Sequence, residues 1–192
     1  MTPDPEGVIE RAARTCYQST ACVCDGSAAA LLPKLLCSGH ETPFEHASAT
    51  FLISGCSRAM THQLVRHRLM SVCQKSQRYV SEDEFEYVVP PSLPAGSRAE
   101  FDADMEAIRA MYRKWRERGL RKEDARYVLP GACATEIMIT ANFREFRHIF
   151  KLRCSPHAQW EIRDACLLML AELHKAAPRV FGDLAKELGA NG

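Results

Sequence analysis

The chain has 192 residues, 46% of them hydrophobic, and a formal net charge of +1, so it can bury one substantial core, while two independent domains would each be small. With 25 basic against 24 acidic side chains, nothing in the overall charge supports a polyanion-binding protein. The odd count of nine cysteines, their scatter and the lack of a secretory leader argue against a disulfide scaffold and for a reducing cytoplasm. Cys22-Val23-Cys24 is too closely spaced for an ordinary thiol pair, and no second pair completes a tetrahedral set, so no metal is expected. No apolar run approaches the roughly 20 residues that cross a bilayer, so no membrane insertion is expected.

A Pro-rich tip leads into an expected helix over Val8–Cys16, with Arg11 and Arg14 toward its end. Ser27 is expected to cap a second helix over Ala28–Cys37 that ends at Gly39 and contains Pro33. Thr50, Phe51 and Ile53 give Ala47–Ser54 strand character, and Arg58–Arg68 has helical spacing. Pro90, Pro91, Pro94 and Gly96 form a turn-rich break between two halves of one domain. Phe101–Arg118 is a periodic amphipathic helix closed by Gly119, and Lys122–Tyr127 is a short helix before Pro130. Thr135–Thr140 is apolar and β-branched enough for a strand, followed by helices over Asn142–Arg153 and His157–Ala176. The mixture predicts an α/β (α+β) fold: a single compact domain over residues 1–192, with a central mixed or antiparallel sheet flanked by helices. No Gly-x-Gly-x-x-Gly fingerprint is present, so the fold is expected to be non-Rossmann.

Chemistry concentrates in Arg66-His67-Arg68-Leu69-Met70-Ser71-Val72-Cys73-Gln74-Lys75-Ser76-Gln77-Arg78-Tyr79. No Asp or Glu occurs from Ser57 to Val80, whereas Glu82, Asp83, Glu84 and Glu86 follow at once. Arg68, Lys75 and Arg78 supply charge and Ser71 and Ser76 short-range donors, the combination that holds a phosphate beside a polar ring. Composition alone also fits a solvated basic surface. The confinement favours a local site over a nucleic-acid track, and regular aromatic interleaving for RNA is missing. His67, between two arginines, is not expected to keep the ordinary pKa of about 6.5. Ser76 has no His-and-carboxylate relay tied to it, which makes it a ligand-binding residue before a nucleophile.

The fixed spacing decides between these readings. Arg-His-Arg, seven residues, Ser, then Arg and Tyr two and three positions later resembles the signature of the flavin-dependent thymidylate synthases. Gly39-His40-Glu41-Thr42-Pro43-Phe44-Glu45-His46 upstream, Gln63, and His157-Ala158-Gln159-Trp160-Glu161 downstream extend the resemblance over roughly residues 8 to 175. Cys73 stands where the family frequently has asparagine.

The resemblance implies reductive methylation of dUMP to dTMP, with FAD as cofactor, methylenetetrahydrofolate as carbon donor and NADPH as reductant. It implies a homotetramer with active sites shared between subunits. It maps Gln63, Arg66, Gln74, Ser76, Arg78, Arg126 and Arg153 to nucleotide binding, with Ser76 and Arg78 near the phosphate and Arg153 near the uracil ring. Arg153 and Ser76 are the expected catalytic residues. His40, Thr42, Glu45, Arg66, His67, Arg68, Asn142, Arg144 and His148 map to flavin binding, and the spacing of 144 and 148 puts both on one helical face. His157 and Gln159 are second candidates near the substrate ring or as a helix cap, and Trp160 is expected to anchor the core. Other readings are a related flavin enzyme modifying another uridylate, or a nucleotide-binding regulatory protein without turnover.

Overall fold

The computed structural model describes residues 1–189. Eleven helices and strands run in the order α1 (Pro5–Cys16), α2 (Ser27–Cys37), β1 (Ser48–Ser57), α3 (Arg58–Leu64), β2 (Met70–Gln74), α4 (Arg98–Glu117), α5 (Lys122–Ala125), β3 (Ala134–Asn142), α6 (Phe143–Arg153), α7 (Trp160–Ala176) and α8 (Pro178–Leu188). The class is α+β, and the strands form one sheet in the order β1-β3-β2. Along β3 the side chains alternate as an amphipathic strand requires, with Thr135, Ile137, Ile139 and Ala141 buried and Glu136 and Met138 exposed. Among the described residues no helix is long and apolar enough to cross a membrane.

The chain gathers into two compact units: one comprises Met1–Phe51, Arg66–Val72 and the chain from Ile139 onward, the other Leu52–Val65 and Cys73–Met138. In the first, α1, α2, α6, α7 and α8 pack together around an aromatic cluster. Phe181 meets Phe143 edge-on at 5.0 Å and Phe150 at 5.9 Å, and all three are fully buried. Arg147 of α6 is buried, and its guanidinium forks onto Asp183 of α8 at 2.7 and 2.6 Å while donating to the Val180 carbonyl. In the second unit Phe85, Met105 and Cys133 form a core joined by Tyr87, Phe101 and Ile108. Arg109 lies over the Phe85 and Tyr87 rings at 5.2 and 5.4 Å.

Several boundaries differ from the sequence reading for local reasons. Helix α1 starts at Pro5, because Asp4 caps it through the Gly7 N–H and Pro at the first position needs no donor of its own. Gly26, not Ser27, is the N-cap of α2; the Ser27 hydroxyl turns back to the Cys24 carbonyl. Pro33 is accommodated inside α2. Helix α3 ends at Leu64, short of the helical spacing read to Arg68, so Arg66–Arg68 lie in a loop, and the following Met70–Gln74 is a strand that the sequence reading did not predict. Lys122–Tyr127 divides into α5 and a 3-10 turn over Arg126–Val128. Asn142 precedes α6 as its cap, accepting from the Glu145 N–H at 2.8 Å. Helix α7 begins only at Trp160, because Gln159 accepts from the Glu161 and Ile162 N–H groups as its cap, the second of the two roles expected for it. Trp160 is partly buried. Helix α8 was not expected from the sequence.

Candidate functional site

In the first unit the signature histidine meets the end of α6. Arg153, in the last turn of that helix, donates Nε–H to His67 Nε2 at 3.0 Å, across 86 residues of sequence. Glu145, a little over two turns earlier on the same helix, brings Oε1 to 3.9 Å from His67 Nδ1. His148 sets its ring edge-on to His67 at 5.9 Å. His67 and Glu145 are both buried and His148 is exposed. Burial, then the charge of Arg153 and the proximity of His148, lower the His67 pKa from 6.5 to about 4, so the imidazole is neutral near pH 7 and accepts the hydrogen bond from Arg153 Nε–H. Burial likewise raises the Glu145 carboxyl pKa, against an opposing pull from His148.

A cavity of about 610 Å³ opens beside this contact, lined by Glu41, Glu45, Leu69, Asn142, Arg144, Glu145, Arg147, His148 and Lys151. Arg144 is held from two sides, by Glu45 at 2.5 Å and Glu41 at 3.5 Å, and these carboxylates raise its pKa further. Lys151 approaches Glu41 at 3.9 Å. Of the residues expected for the flavin, Glu45, Asn142, Arg144 and His148 line this cavity, and His67 lies against His148. Thr42 opens the 3-10 turn Thr42–His46 that carries Glu45. His40 packs edge-on against Tyr17 at 6.0 Å. Arg66 and Arg68 are exposed on the loop that carries His67. Glu41, Glu145, Arg147 and Lys151 were not singled out from sequence. Glu41 lies inside the upstream motif, and Glu145 carried a local signal as the acidic residue three positions after an Asn cap.

The expected nucleotide residues divide between the units, Arg66 and Arg153 in the first and Gln63, Gln74, Ser76, Arg78 and Arg126 in the second. Gln74 donates to the Thr61 hydroxyl at 2.9 Å. The Ser76 hydroxyl accepts from the Arg78 N–H at 3.2 Å, while its carbonyl receives the N–H groups of Tyr79 and Val80, so Ser76 shapes the turn that presents Arg78. Arg78 pairs through Nε with Glu123 at 2.6 Å, and the Glu123 carbonyl receives Arg126 Nε at 2.9 Å. Glu123 of α5 thus orders two of the expected nucleotide arginines. Lys75, read as one of the cations that supply charge in the signature, is tied to buried Glu82 at 3.1 Å. Glu82 of the acidic run thus folds back onto the signature, while Arg66, Arg68 and Arg78 are its exposed cations.

Burial pushes the Cys133 and Cys154 thiols up to about 12 and raises Cys166 further, so these three core cysteines are not activated nucleophiles. Among the described residues no cluster of His, Cys, Asp and Glu could hold a metal ion.

The neutral state of His67 has a measurable consequence. Its folded pKa of about 4 lies below the unfolded value of 6.5, so between these pH values the unfolded chain binds a proton that the folded chain refuses. Stability therefore falls as pH drops from about 6.5 to about 4, by on the order of 2 kcal/mol from this residue. Denaturant unfolding of wild type and His67→Gln across that window should show a steeper loss in the wild type. Parallel curves would contradict a buried neutral imidazole.

Residues 1–179 match the family described as thymidylate synthase complementing protein. The chain is 45% identical over 192 residues to the flavin-dependent thymidylate synthase of Geobacter sulfurreducens, covering 95% of this chain and 83% of that protein. It is 39% identical over 204 residues to that of Clostridium tetani, covering 94% and 82%. Its fold superposes with a TM-score of 0.82 and 25% identity on the crystal structure of thymidylate synthase X from Helicobacter pylori with FAD and dUMP, covering 96% of each chain.

Proposed function

Because this chain belongs to the flavin-dependent thymidylate synthase family, we propose that Arg153 and the signature residues form its catalytic and nucleotide-binding set. The enzyme carries out the reductive methylation of dUMP to dTMP with FAD. Its donor set fits that cofactor. Arg144, Lys151 and Asn142 line one cavity, two cations and an amide suited to a diphosphate and a polar ring edge. His40, Thr42, Glu45, Arg66, His67, Arg68 and His148 complete the proposed flavin set. The chemistry that FAD supplies when bound is hydride transfer.

The observation that carries the residue assignment is the Arg153–His67 hydrogen bond. A neutral imidazole orients the guanidinium without cancelling its charge, as a carboxylate would. Arg153 then acts as a fixed positive group for negative charge developing on a uracil oxygen, an interaction that strengthens as the reaction proceeds and so raises kcat. Ser76 and Arg78 hold the phosphate and Gln63, Arg66, Gln74 and Arg126 complete the nucleotide set, with Ser76 acting through alignment rather than as a nucleophile.

We assign methylenetetrahydrofolate as carbon donor and NADPH as reductant, and a homotetramer with sites shared between subunits. Leu69, Leu168 and Tyr127 are 76%, 71% and 83% exposed, apolar surface suited to association. The odd count and the scatter of the nine cysteines along the chain support a reducing, cytoplasmic setting. The non-Rossmann reading rests on the missing glycine fingerprint.

Arg78→Ala tests the phosphate assignment. Loss of a charge-assisted contact should weaken dUMP binding by about 10-fold or more, read by calorimetric titration. The melting temperature should move little, because the Arg78–Glu123 pair is largely exposed. Unchanged dUMP affinity would remove Arg78 from the phosphate site.

A further inference from the structure

We propose that Glu145 is a positioning residue of the reaction, holding His67 in the Nδ1-protonated tautomer so that Nε2 keeps a lone pair for the Arg153 Nε–H. The proposal rests on the reading that Arg153 works at the reacting pyrimidine. It extends that reading to a carboxylate that neither the signature nor any expected ligand set contains.

The two nitrogens of a neutral imidazole cannot play the same part: one carries the proton and the other accepts. His67 Nε2 accepts from Arg153 at 3.0 Å, so the proton sits on Nδ1, and Nδ1 faces Glu145 Oε1 at 3.9 Å. That distance is too long for a hydrogen bond. It is short enough for charge to choose between tautomers, because one points an N–H dipole at the carboxylate and the other a lone pair. The choice is amplified by burial, since both side chains lie out of water where charge is weakly screened.

The fold fixes each member. Glu145 sits in the first turn of α6, its N–H bonded to the Asn142 cap at 2.8 Å, where the helix dipole favours a carboxylate. Arg153 closes the same helix, so one rigid element carries both the group that selects the tautomer and the group that uses it. His148, between them, contacts the His67 ring edge-on and limits its rotation. The lowered pKa of His67 keeps the ring neutral near pH 7, the state in which a tautomer choice exists.

Glu145→Gln is the direct test, because its amide NH₂ can donate to Nδ1 and turn the Nε2–H toward Arg153. The ligand-free protein is measured first, by ¹⁵N NMR of the imidazoles, with His67 assigned by its loss in His67→Gln. The wild type should show the Nδ1–H tautomer, and Glu145→Gln a mixture or the Nε2–H form. In FAD-loaded enzyme, kcat for dTMP formation should fall about 10- to 100-fold with the dUMP KM within about threefold. Glu145→Asp, which keeps the charge one methylene shorter, should recover part of both and serves as the second variant should the amide impair folding.

An unchanged His67 tautomer in both variants overturns the proposal. So does a shifted tautomer with unchanged kcat when Arg153→Lys itself is slow, and the reading of Arg153 then stands. If Arg153→Lys is as fast as wild type, the reading of Arg153 falls and the proposal with it.

Discussion

Arg153→Ala should lower kcat for dTMP formation by about 10²–10³-fold, roughly 2.7–4 kcal/mol of barrier, while the dUMP KM changes far less. The asymmetry follows from placement. The guanidinium is fixed at the end of α6 by the His67 imidazole, so no reorganisation is needed when charge develops on the pyrimidine. A contact that is weak to the neutral ring and strong to the charged one is spent on the transition state. Arg153→Lys retains a charge but loses both the planar fork and the Nε donor that His67 accepts, and it should recover only part of the loss. Steady-state kinetics with dUMP varied separates the two parameters. A variant within about threefold of wild type in kcat would show that another group carries the developing charge.

Asp183→Ala should destabilise the protein by about 3 kcal/mol, the expected cost of stranding a buried charge, and lower its melting temperature by about 6–10 °C. Arg147 is the reason. Its side chain is only 6% exposed, and its Nε has no hydrogen-bond partner, so the fork onto Asp183 and the Val180 carbonyl are what satisfy the guanidinium. Removing the carboxylate leaves one carbonyl against a buried cation. Asp183→Asn, which retains an acceptor oxygen, should cost about half as much. Burial raises the Asp183 pKa, but the Arg147 hydrogen bonds and charge and the Leu184 N–H more than offset it, and the net shift is downward. Its contribution is therefore present above the ordinary Asp range and is lost as pH falls through the depressed value. Denaturant unfolding at neutral pH measures the first effect, and equal midpoints for Asp183→Ala and wild type would show that water solvates Arg147 in the folded state.

The signature was legible because its information is local: residue types at fixed spacing identify the anion-binding segment without any knowledge of the fold. The strand β3 was legible in the same way, from its apolar and β-branched content, whereas Asn142 and Glu145 carried the local signal of a cap and the third residue of a helix without being read as such. The partners of the signature were not legible. His67 meets Arg153 across 86 residues, and Arg144 meets Glu45 across 99, contacts that only the packed chain creates. Lys75 was read as supplying charge to the site, and the seven residues that separate it from Glu82 imply no contact until the turn at Ser76 brings them together. Strand β2 was missed since Met70–Gln74 has neither alternation nor β-branched density, and its pairing in the sheet supplies what its own residues lack.

The measurement closest to the centre of this account is the fate of an isotope-labelled methylene carbon. Purified enzyme is incubated anaerobically with FAD, NADPH, dUMP and methylenetetrahydrofolate carrying that label, and the nucleotides are resolved by mass. Labelled dTMP in the wild type, falling at least about 100-fold in initial rate with Arg153→Ala, is the predicted result. Bound FAD and dUMP with no labelled dTMP from the wild type would contradict it and leave a protein that holds the nucleotide without methylating it.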